Sequence, residues 1–164
     1  MFEVLVYVYE NYWHGAACPD SDLLERKLNA AGFDTQEIRS ALDWLDDLNL
    51  ATQNTHSRPP HAPAPEQASP IRTAPTSMRV YSVAEQNQLG TACLGFISFL
   101  ESASALPVPM REIVIDRAMA VPDAPVSLDD LRIIILMVYW SFGEEPEALI
   151  LDELCAPQAG RTCH

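Results

Sequence analysis

The sequence predicts a mainly α-helical protein, with a winged-helix-like N-terminal part and at most a short two-stranded sheet. Three observations lead there. Apolar residues recur at steps of three and four along most of the 164 residues. Asp34/Glu37, Ser82/Glu85 and Ser127/Asp130 have the spacing of a helix-capping side chain followed three residues on by an acid. Prolines gather between these stretches rather than within them.

The opening MFEVLVYVYENYW is rich in Val and Tyr and suits a strand by propensity. Alternation fails, because Glu3 and Glu10 have opposite parity and would charge both faces of a sheet. On a helix, Phe2, Leu5, Val6, Tyr9 and Trp13 form an apolar stripe, and Glu3, Tyr7, Glu10, Asn11 and His14 a polar one. A second helix over about Ser21–Ala31 buries Leu23, Leu24 and Leu28, and Gly32 accepts the left-handed conformation that would end it. The third opens at Asp34 and sets Ile38, Ala41, Leu42, Leu45 and Leu48 on one side. Two helices joined by so short a turn have the outline of a helix-turn-helix. Residues 50–53 and 78–81 would then be the two strands of a winged helix.

Residues 1–56 thus form a three-helix unit. From 57 to 77 the composition changes, with Pro59, Pro60, Pro63, Pro65, Pro70 and Pro75 among small polar residues. Such a stretch has too little apolar surface to order itself, so a flexible linker is expected. A second helical unit, 78–164, packs with the first. It begins at MRVYS as a short strand or extended lead-in. A helix follows from Ser82 to about Ala103, with Leu89, Cys93, Phe96, Ile97 and Leu100 inward. The next spans about Met110–Ala120, with Ile113, Val114, Arg117 and Val121 near one side. SLDDLRIIILMVYWSFG is apolar almost all round after Arg132, as a helix at the centre of a domain must be. A short helix over Glu147–Leu154 precedes the tail.

The charge balance excludes some functions. The 23 acids against 10 bases give −13, and Lys27 is the only lysine. Duplex binding needs cations against phosphates, and an anionic membrane surface needs them too. No basic stretch opens the chain as in a signal peptide. The most apolar run, 133–140, falls well short of the roughly 20 residues of a membrane helix. A soluble cytoplasmic protein is expected, one that docks on no membrane. Cys18, Cys93, Cys155 and Cys163 lack the spacing of a zinc site and are expected as reduced thiols.

Several stretches together, MFEVLVYVYENY, AGFDTQEIRSALDWLDDL, MRVYS, CLGFISFLE, MREIVIDRAMAV and VSLDDLRIIILMVYW, resemble the bacterial Smg family, a family of unknown function. The resemblance covers all but the tail and the linker, which is longer and richer in proline here. It implies a bacterial, cytoplasmic, mostly helical protein whose gene often lies beside one for a DNA-processing protein. It brings no catalytic residues, because none is established for the family.

No phosphate loop, dinucleotide fingerprint or nucleophile elbow is present, and six glycines leave little material for one. Asp129 and Asp130 point about 100° apart on a helix and suit its first turn, where acids complement the dipole. His14, Cys18, Cys163 and His164 make a weak zinc set, because two of them sit on the tail. Cys93 faces the core side of its helix and has no cation nearby in sequence to activate it. Arg132 needs a partner where it enters the apolar helix. Asp129 supplies one in a structural ion pair, with Asp116 or Glu112 as cross-helix candidates. No catalytic residue, cofactor or metal is expected.

On the third helix the exposed early positions are Thr35, Gln36, Arg39, Ser40 and Asp43. A DNA reader would present cations there. Only Arg39 is one, and Asp43, Asp46 and Asp47 would repel phosphate. Arg39, Asp43, Asp46 and Asp47 are therefore candidate partner-binding residues. The expected function is that of a non-enzymatic helical interaction or regulatory factor whose unknown protein partner is basic. The alternative is a nucleic-acid-associated winged-helix-like protein acting in DNA processing through Arg58, Arg72 and Arg79.

Overall fold

The computed structural model describes residues 1–12, 21–56, 79–122 and 125–155. They form seven helices and, among the described residues, no strand. The helices are α1 (Phe2–Tyr12), α2 (Ser21–Ala31), α3 (Thr35–His56), α4 (Val83–Ser102), α5 (Val108–Met119), α6 (Leu128–Phe142) and α7 (Ala148–Cys155). The linker expected at 57–77 lies outside the described residues.

Helix α6 occupies the centre. It touches α1, α3, α4, α5 and α7, and buries Leu131, Ile134, Ile135, Met137 and Val138 completely. Helices α1 and α3 also pack on one another, and α3 reaches α5, while α2 leans on α3. The two halves of the chain therefore share one apolar core. Polar bonds tie the seam: the Trp44 indole N–H donates to the Arg117 carbonyl at 3.2 Å, and the Thr52 and Ser141 hydroxyls meet at 3.0 Å.

Two caps form as their spacing implies. The Glu85 N–H donates to Ser82 Oγ at 3.2 Å, and the Ser82 N–H donates to Glu85 Oε2 at 2.7 Å. Ser127 Oγ accepts from the Asp130 N–H at 3.1 Å. At α3 only the first half of the box is used as expected. Asp34 accepts from the Gln36 N–H at 2.8 Å, but the Glu37 carboxylate meets the Met1 ammonium at 3.3 Å, pinning the start of α1.

Three expectations are corrected. Residues 50–53 are not a strand, because α3 runs on to His56. No glycine or proline interrupts the chain between Gly32 and Pro59, and Thr52 and Thr55 return their hydroxyls to the Leu48 and Ala51 carbonyls at 2.9 and 3.0 Å. Residues 79–82 are an extended lead-in. A wing thus lacks its first strand. Second, α1 buries Val4, Leu5 and Val8, whereas Phe2, Val6 and Tyr9 are only half-buried. The helix is apolar around most of its circumference, so two stripes fit equally and contact with α3 and α6 chose between them. Tyr7, placed on the polar stripe, packs edge-on against Phe33 at 5.5 Å. Third, Leu23 is 46% exposed, and on α3 Trp44 is buried while Leu42 is half-buried.

Candidate functional site

The outward face of α3 carries Arg39, Asp43 and Asp46, all exposed. Asp47 has a second task. Its carboxylate lies 3.2 Å from Arg117 on α5, which also pairs with Asp116 at 2.8 Å. One of the three aspartates therefore belongs to the α3–α5 seam, and the freely presented acids of this face are Asp43 and Asp46.

Arg132 is 7% exposed. Its guanidinium pairs with Asp129 at 3.4 Å and with Glu153 of α7 at 3.2 Å, and lies 5.5 Å from the Phe96 ring centre. The local partner is the expected one; the cross-helix partner is not. Glu112 binds Arg79 and Arg111, and Asp116 binds Arg117. Glu153 lies 21 residues away in sequence, and only the packing of α7 on α6 brings it near.

A larger ion-pair network joins the lead-in to α4 and α5. Arg79 pairs with Glu85 at 2.9 Å and Glu112 at 3.0 Å, and its guanidinium lies 4.8 Å from the Tyr81 ring centre. Arg111 pairs with Glu112 at 2.7 Å and with Glu101. The Arg79 hydrogen bond, reinforced by the Ser82 N–H, pulls the Glu85 carboxyl down to about 2. Arg79, Arg111, Arg117 and Arg132 are each at most 19% exposed and each engaged by carboxylates. The exposed side-chain cations among the described residues are Arg26, Lys27 and Arg39, and Lys27 lies over the Tyr12 ring. Four of the six described arginines are thus turned inward.

A cavity of about 430 Å³ lies between α1, α6 and α7. Val6, Tyr9, Glu10, Ile133, Leu136, Met137 and Leu154 line it, and Glu10 is exposed at its edge.

Reactive groups are sparse. Burial, with a smaller contribution from Asp130, pushes the Cys93 thiol up to about 11, and Cys93 Sγ sits 3.4 Å from the Val126 carbonyl. Asp130 serves the Ser127 cap and Asp129 serves Arg132. Among the described residues no three His, Cys, Asp or Glu side chains converge as metal ligands. His14, Cys18, Cys163 and His164 lie outside the described residues, as do Arg58 and Arg72.

These features define a mainly helical protein whose buried arginines are paired with carboxylates and whose exposed charges, among the described residues, are mostly acids. Residues 1–164 match the family described as Protein of unknown function (DUF494), and the chain belongs to that family. Its relatives carry the name Protein Smg homolog. The chain is 54% identical to the one from Methylibium petroleiphilum, 53% to that of Leptothrix cholodnii and 46% to that of Bordetella pertussis, each alignment covering the whole of both chains. No solved structure matches it. No helix among the described residues is long and apolar enough to cross a membrane.

Proposed function

We propose that this Smg-family protein is a non-enzymatic helical interaction factor that meets a basic protein partner through the outward face of α3. The observation that carries this reading is the division of charge. The buried arginines are engaged in internal pairs, so they mainly offset the carboxylates beside them and present little free positive charge to an approaching molecule. Asp43 and Asp46 stand exposed on a helix packed against α1, α2, α5 and α6. Complementary charge of this kind mainly speeds encounter and selects the right surface. Of the three cations that a nucleic-acid role would use, Arg79 is held by Glu85 and Glu112 instead, and Arg58 and Arg72 lie outside the described residues.

The test is a paired capture from the cells that make the protein, using the wild type and an Asp43→Lys/Asp46→Lys variant. Asp47 is left alone because it holds Arg117. A basic protein retained by the wild type and lost from the variant is the expected result. A fluorescence-anisotropy titration with duplex DNA at about 150 mM salt accompanies it, covering the non-specific range of roughly 10⁻⁴–10⁻⁶ M. Saturable DNA binding that disappears with Arg39→Ala would overturn the reading.

A further inference from the structure

We propose that the cavity between α1, α6 and α7 receives apolar side chains from a lysine- or arginine-rich segment of the protein partner. The inference rests on the reading of a basic partner given above and adds where that partner is anchored.

Size comes first. A volume of about 430 Å³ falls within the roughly 300–1,000 Å³ of ordinary ligand sites. The lining comes second. Val6, Ile133, Leu136, Met137 and Leu154 offer only hydrocarbon and a thioether, and Met137 is fully buried. A small polar metabolite would need several placed donors and acceptors to fix its orientation. Of the residues lining this cavity only Tyr9 and Glu10 carry a polar side-chain group. Its chemistry therefore suits an apolar group that brings a cation to the rim.

The rim itself supports a basic chain rather than a neutral one. Glu3 and Glu10 are seven residues apart on α1, so they lie on the same side two turns from each other, and both are exposed. A segment laid along α1 would pass both carboxylates while inserting its apolar side chains beside Val6 and Tyr9. The half-buried state of those two residues also has an explanation here. The core uses the Val4, Leu5 and Val8 side of α1 and leaves the neighbouring apolar stripe facing the cavity. In such interfaces a few anchors in a pocket supply most of the affinity, and charge at the rim supplies orientation and speed.

The experiment uses the full chain, ¹³C-labelled at its methionine methyls, and two fluorescein-labelled model helices. One is built of leucine and lysine, the other of leucine and glutamate. The lysine peptide should shift the Met137 methyl resonance and leave that of Met119, which is 38% exposed on α5, in place. Val6→Phe, which narrows the cavity, and Glu10→Lys, at an exposed position, should each weaken the lysine peptide by about tenfold, with melting temperatures confirming the fold. Equal binding of the glutamate peptide would overturn the proposal, and so would an unmoved Met137. It fails also if Met137 shifts with protein concentration alone, because a second copy then fills the cavity. Loss of lysine-peptide binding in Asp43→Lys/Asp46→Lys with none in Val6→Phe would keep the basic partner and remove the cavity from it.

Discussion

Helix α6 buries Leu131, Ile134, Ile135, Met137 and Val138 and carries Arg132 among them, whereas α3 buries one stripe and holds Arg39, Asp43 and Asp46 in water. The single cation of α6 is met by two carboxylates and a ring face. The acids at the middle of α3 need no partner, since solvent stabilises them. The Arg132 charge on α6 is thus fixed by the fold, and the Asp43 and Asp46 charges on α3 are free to be set by whatever meets them. Function is more easily written on the second kind of surface.

The sharpest break of this contrast is in the core of α6. Leu131→Ala should cost about 2–5 kcal/mol, from lost burial and the cavity left behind, read as a fall in the denaturant midpoint. Leu136→Ala, which already borders the cavity, should fall at the low end of that range. Equal costs at the two positions would mean that the cavity is closed in solution.

Next is Arg132→Ala, which should cost about 1–3 kcal/mol. Breaking a fully buried pair costs more, but Asp129 and Glu153 are 56% and 48% exposed and would regain water. Arg132→Met keeps the packing against Phe96 and should lose less than the alanine variant. If the two cost the same, the charge rather than the packing is what α6 needs.

A pH titration separates paired from solvated acids. Because Arg79 holds Glu85 down to about 2, against 4.5 for a free glutamate, the unfolded chain takes up this proton first as pH falls. Its stabilisation is therefore complete above about pH 4.5 and fades as pH drops towards 2. Glu85→Gln should flatten the loss of stability in that window relative to the wild type. A wild-type midpoint that stays level between about pH 5 and pH 3 would contradict the pairing.

Smallest of all, Asp43→Ala should change stability by less than about 0.5 kcal/mol. Asp47→Ala should cost slightly more, because it releases Arg117. If Asp43 proves the costlier, the assignment of outward and seam positions on α3 is wrong.

Legibility followed the same divide. On α4 every inward residue expected from the pattern is buried, because glycine, serine and threonine mark the opposite side clearly. On α1 the pattern admitted two stripes, since valine and tyrosine surround the helix, and only its neighbours settled the choice. The length of α3 was visible in the distance from Gly32 to Pro59, a stronger signal than the winged-helix outline that placed a strand at 50–53. The Asp129–Arg132 pair was readable from a three-residue step. Glu153 and the Asp47–Arg117 bridge were not, because each depends on how helices distant in sequence come to lie side by side. The cavity was invisible for a related reason: Val6 and Leu154 look like core residues, and a gap among such residues leaves no mark in their order.

Helix α4 breaks at Gly90, whose φ of 66° and ψ of 172° suit glycine and strain any other residue. Near this break the Gln88 carbonyl accepts the Val126 N–H at 2.8 Å, and the Gln88 amide donates to the Val121 carbonyl at 3.0 Å. The loop between α5 and α6 is thereby latched to the first turns of α4. In hydrogen-exchange terms, the Val126 amide and the amides that open α4 should form one cooperative unit, losing protection together rather than fraying separately. A bend inside one helix would thus set the order in which another part of the chain comes undone.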